Sequence, residues 1–159
     1  MKSWAIARAL HVLGVVLWIG GVSMVTTVLL PAVRRLHAAG HPADLFERIE
    51  HGFSRQAQWT TLLVGATGFY LTYALDLWRR FADARYWWMT AMVVVWLIFT
   101  SILFVLEPLV LHRWLRERTQ RDPAGTLALV ERLHRILLAL SLVTVAGAVA
   151  GAHGLLLFS

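Results

Sequence analysis

Four long apolar runs alternate with short stretches of arginine, aspartate, proline and glycine along the chain. They cover about residues 4–33, 57–78, 86–111 and 136–158. At a rise of ~1.5 Å per residue, each is long enough as a helix to cross a hydrocarbon layer of ~30 Å. Charge marks the exits: Arg34-Arg35 after the first run, Arg79-Arg80 after the second, and R-E-R-T-Q-R-D-P-A-G after the third, a turn signal around Pro123 and Gly125. Between the first two runs, A-D-L-F-E-R-I-E-H-G-F sets Leu45, Phe46, Ile49 and Phe53 at helical spacing. That predicts an amphipathic helix, lying in the interface or extending the second span outward. The fourth helix is expected to begin amphipathically near Thr126. Short connections favour an all-α, up-down four-helix membrane bundle with the amphipathic helix between helices 1 and 2, as a single transmembrane domain over residues 1–159.

Composition narrows the class. With 58% hydrophobic and 15% charged residues, the chain is too apolar for a soluble domain. It has no cysteine, which removes disulfides, thiolate-bound zinc, iron–sulfur clusters, covalently attached haem and thiol nucleophiles. A net charge of +6 does not call for nucleic acid, because the basic residues flank apolar runs. Trp59, Trp78, Trp87, Trp88 and Trp114 fall near span ends, where aromatic belts form. The first run is expected to be a retained span. It is too long for a signal peptide, and Leu30-Pro31 lacks a small-residue cleavage pattern.

Four crossings put the N-terminus, the loop between helices 2 and 3 and the C-terminus on one side. That side carries five basic residues (Lys2, Arg8, Arg79, Arg80, Arg85) against ten in the other two loops. The positive-inside bias therefore places both termini outside the cytoplasm, in a bacterial-type inner membrane.

Seven histidines are the plentiful metal-ligand type. His11 lies within the first span, and an ionisable group there is a functional-site hypothesis by default. Counted inward from Trp4 and from Ser159, His11 and His153 fall at about the same depth, roughly 10 Å along their helices. Gly14, Trp18 and Gly21 follow His11 on one face, and Gly147, Gly151 and Gly154 surround His153. Small residues of this kind leave room for a flat guest or serve plain helix packing. The pair suits bis-histidine ligation of haem b between helices 1 and 4, with Arg8, one turn outward of His11, available to a propionate. A second haem is expected on the other side from His51 and His134, with His112 as an alternative ligand; His37 and His41 read as loop residues. Glu107-Pro108 in helix 3 suggests a kink and a carboxylate that serves proton transfer or quinone hydrogen bonding or, as the preferred reading, pairs with Arg55 or Arg135.

The stretch L-H-V-L-G-V-V-L-W-I-G-G, Leu10 to Gly21, resembles the first span of the copper-resistance protein D (CopD) group and of HemJ-type protoporphyrinogen oxidases, which share a His-x6-Trp-x-Gly pattern. The resemblance implies a small four-helix membrane protein with His11 as a haem ligand. HemJ-type enzymes carry a lysine in the third span. Here that region reads Y-W-W-M-T-A-M-V-V, and Lys2 is the chain's lone lysine, a departure that argues against porphyrinogen oxidation. Copper handling is the alternative from another class, with Met92 joining His11 and His153 as a soft ligand. No hydrolase motif is present. The expected activity is electron transfer with a quinol, superoxide or a redox protein, in a chain able to form a homodimer.

Overall fold

The computed structural model describes residues 3–38 and 44–155, without the side chains of 36–38, 44–52, 110–113 and 115–116. Among these residues every regular element is helical. The first rod is continuous: α1 (Ser3–Met24) passes through a π-helical segment (Val25–Leu29) into α2 (Leu30–Ala38). A wider π turn leaves carbonyls short of partners. Thr26 and Thr27 compensate, donating their hydroxyls to the carbonyls of Val22 and Ser23 at 2.7 and 2.8 Å.

The second rod, α3 (Asp44–Ala74), is continuous, so of the two expected arrangements the amphipathic segment extends the second span outward rather than forming a separate interfacial helix. The amphipathic segment is its first three turns, because no proline or missing backbone donor interrupts it. At its other end α3 stops before the expected Trp78. Asp76 takes a left-handed φ of 48°, and the N–H of Leu77 reaches back to the carbonyl of Thr72 at 2.9 Å. Two short 3₁₀ turns, Trp78–Ala82 and Ala84–Tyr86, lead to the third rod.

That rod begins as α4 (Trp87–Ser101), widens into a π segment (Ile102–Leu111) around Pro108, and continues as α5 (His112–Arg121) beyond the expected end near Trp114. Pro108 has no N–H to give the preceding turn, so the register loosens there. A single residue joins α5 to α6 (Pro123–Ala152). Asp122 caps α6 by accepting the N–H of Gly125 at 2.9 Å, and Pro123 occupies the first turn, where no donor is needed. The D-P-A-G signal is thus a helix start. α6 ends six residues short of the expected Phe158: Gly154 adopts φ +89°, and the N–H of Leu155 bonds the carbonyl of Ala150 at 3.0 Å.

Each rod packs against two others: α1 on α3 and α6, α3 on α1 and α4, α4 on α3 and α6. Three of them, over Ser3–Arg35, Ala84–Leu109 and Pro123–Ala152, are long and apolar enough to cross a membrane. α3 is the more polar rod because of Thr60, Thr61, Thr67 and Thr72, all buried. Most of these hydroxyls close on their own helix, Thr60 on Gln56, Thr67 on Leu63 and Thr72 on Gly68. Ser141 and Thr144 of α6 do the same. Leucines and valines of α1 and α6 instead face outward, Val16 60% and Val143 60% exposed. Small polar residues inside and large aliphatic ones outside reverse the soluble pattern and suit a lipid surround. The apolar centre is Trp18, Ile19, Val22, Val64, Phe99 and Leu138.

Candidate functional site around His11

His11 sits on the face of α1 that meets α3, not the face toward α6. Its Nδ1 lies 3.1 Å from the carbonyl oxygen of Val64 and 3.0 Å from Oγ1 of Thr67. A carbonyl only accepts, so Nδ1 must carry the proton. Thr67 spends its own hydrogen on Leu63 and can accept from the same N–H. In the neutral ring this leaves the lone pair on Nε2. The ring is held close because Gly68 has no side chain: a Cβ there would meet Cε1 of His11 at 3.2 Å.

His153 and His134 have the same tautomer by the same logic. Nδ1 of His153 donates to the carbonyl of Val149 at 2.8 Å, and Nδ1 of His134 to that of Val130 at 2.9 Å. His153 is exposed, and it is the residue immediately after α6 rather than one inside a longer span. His134 is half-buried on α6. Positions 37, 41, 51 and 112, where further histidines were expected to act or to be loop residues, lie outside the described residues and side chains. Among the described residues, no three His, Asp or Glu side chains converge on a metal-sized space.

Four of the five glycines expected to border a guest face side chains of the chain itself, and Gly154 has nothing within 4 Å. A Cβ on Gly14 would meet Val64 at 2.9 Å, one on Gly21 would meet Phe53 at 2.5 Å, and one on Gly147 would meet Trp87 at 2.5 Å. Gly151 faces Trp88 in the same way, and Gly65 of α3 faces Trp96. These notches dock the indoles of α4 against α3 and α6, the helix-packing use of small residues. Trp18 is buried in the centre with its ring edge-on to Phe99, centroids 5.0 Å apart. Arg8 lies 5.2 Å from the centroid of the Trp4 ring, a cation–π contact. Met92 is half-buried on α4.

At the opposite end, the expected partner of Glu107 is replaced. Its carboxylate accepts from the hydroxyl of Ser54 at 3.2 Å, and Arg135 pairs with Glu131 instead. Glu131 is 3% exposed and is held by two arginines, Arg34 of α2 at 3.2 Å and Arg135 one turn along α6. Sequence reading passed over Glu131. The i,i+4 spacing to Arg135 was a signal, whereas Arg34, 97 positions away, was not. The hold of Val64, Thr67 and Gly68 on His11 was equally invisible, since one of the three contributes only its backbone oxygen and one only an absent side chain.

Compared with protein-family models, curated proteins and solved structures, the chain matches none.

Proposed function

We propose that the chain crosses the bilayer four times, with α3 as the fourth crossing, and holds b-type haem through His11 to exchange single electrons with a quinol or a redox protein. What carries this reading is the imidazole of His11. Its Nδ1–H is fixed on Val64 and Thr67 while Nε2 keeps its lone pair within an apolar span. A ligating histidine characteristically gives its other N–H to a carbonyl or similar acceptor, which fixes the ring and raises its basicity. The donor chemistry therefore fits haem iron. The family resemblance of Leu10 to Gly21 supports the same residue.

His153 is the proposed second ligand, and His134 with His51 the pair for a second haem. Haem iron in such a bis-imidazole site supplies one-electron exchange. The chain's own part is to orient the imidazoles of His11, His134 and His153 through their Nδ1–H groups. The indoles at Gly147 and Gly151 exclude a macrocycle from the contact between α4 and α6. The chain thus offers oriented ligands rather than a preformed slot between those helices. We further propose that the arginine-rich side faces the cytoplasm, leaving both termini outside.

The test is an absorption spectrum of the detergent-purified protein, oxidised and reduced, with iron and copper counted per chain. A reduced b-type spectrum that is lost in His11→Ala, with the fold intact by circular dichroism, is the expected result. Stoichiometric copper without a Soret band would replace haem with the copper reading, and a metal-free chain would overturn both.

A further inference from the structure

A groove of about 290 Å³ opens between the second half of the first rod and the middle of α6. Thr26, Thr27 and Pro31 form one wall, and Leu138, Ala139 and Leu142 form much of the other, with Arg135 at one end. Both threonine hydroxyls have already given their hydrogens to Val22 and Ser23, so they have none to offer a ligand. Arg135 is the donor left in the lining. From Arg135 to Leu142 is two turns of α6, roughly 10 Å along the helix axis. The groove therefore runs from a cationic end near the arginine-rich face to an apolar end deeper in the span.

Charge at that end is in excess. Glu131 has two carboxylate oxygens, and each takes one arginine, Arg34 on one and Arg135 on the other. Two guanidinium charges share one carboxylate, leaving one net positive charge beside the groove. Both arginine side chains stay more than half exposed, 62% and 64%, so their remaining N–H groups face outward. Planar guanidinium groups bind phosphate oxygens well, often through two parallel hydrogen bonds.

From these observations we infer that the groove is a site for an anionic phospholipid, its phosphate at Arg135 and Arg34 and one acyl chain laid along Leu138, Ala139 and Leu142. The polarity gradient of the groove matches that of the lipid, head outward and chain inward. Basic pockets between membrane helices select anionic headgroups for this reason. The proposal rests on the chain lying in a bilayer and is independent of haem, so a spectrum without haem leaves it standing.

The experiment is native mass spectrometry of the full chain released from nanodiscs of equal phosphatidylglycerol and phosphatidylcholine with matched acyl chains. Phosphatidylglycerol is expected to be retained preferentially, by about five-fold for each arginine engaged. Arg135→Gln, which leaves Arg34 to pair with Glu131, is expected to lose most of that preference. Ala139→Phe fills the groove without changing charge and is expected to lose it too. Arg79→Gln, at the far end of the molecule, is expected to keep it. Equal retention of the two lipids by the unaltered protein would overturn the site. So would a preference that survives Ala139→Phe, which would trace to diffuse surface charge, or displacement of the lipid by a neutral quinone.

Discussion

His11 and the tryptophans show how single residues act through what their neighbours lack. Gly68 admits the imidazole and Gly151 admits the indole of Trp88, each by having no Cβ. Gly151→Ala places a methyl on the ring of Trp88, which is 7% exposed and has little room to withdraw. Overpacking of this kind costs about 1–3 kcal/mol. A lowered midpoint in detergent unfolding, with the helix content of the folded state unchanged, is the expected outcome. Thr67→Val tests the other half of the arrangement. It keeps His11 on the Val64 carbonyl but removes one acceptor of the N–H. Loss of a group that supports a metal ligand typically weakens binding by about 10–100-fold. Since Val64 remains, haem titration of the variant should show a loss at the lower end of that range.

Helix ends decide more here than helix interiors. Asp122 is the N-cap of α6, and its carboxylate satisfies the N–H of Gly125. Asp122→Ala should destabilise the junction with α5 by about 1 kcal/mol, read as faster amide exchange over the first turn of α6. At the other end Gly154 holds a φ that L side chains resist, so Gly154→Ala should fray the last turn and free the ring of His153 from Val149. The loop before α4 has its own electrostatic tie. The Arg85 guanidinium hydrogen-bonded to Asp83 lowers that carboxyl below its ordinary range. A depressed carboxylate favours the folded loop above the unfolded value of about 4, and the contribution fades as pH falls through the folded value. In Arg85→Gln the titration of Asp83, followed by carboxyl carbon shifts, should move up to the ordinary range.

At the scale of the whole molecule, orientation is open to direct measurement because the chain has no cysteine. Ala84 and Gln120 are exposed and lie at opposite ends of the third rod, Ala84 just before it and Gln120 in its last turn. With the arginine-rich side in the cytoplasm, Ala84→Cys should react with an impermeant maleimide in intact cells. Gln120→Cys should react only after permeabilisation. The reverse pattern would invert the topology, and labelling of both from one side would remove the third rod as a crossing. The arrangement of the rods also sets which residues meet. Helices 1 and 4 were expected to share the guest, yet the face of α1 bearing His11, Gly14 and Gly21 is covered by α3, and α6 approaches farther along, where Arg34 meets Glu131.

The sequence by itself determined the helical class, the membrane-length apolar runs and the break at D-P-A-G between the last two rods. These follow from local chemistry: apolar length, backbone donors removed by proline, and a capping carboxylate three residues ahead of the N–H it satisfies. Periodicity also placed His11, Gly14, Trp18 and Gly21 along one side of a helix. Tertiary structure alone decided that α3 covers the His11 part of that face, that indoles fill the glycine notches, and that Glu131 joins two arginines from different rods. A helical repeat states which residues lie together on one helix. Which face of which neighbour they meet depends on shape and volume summed over all the rods, and no single segment contains that sum.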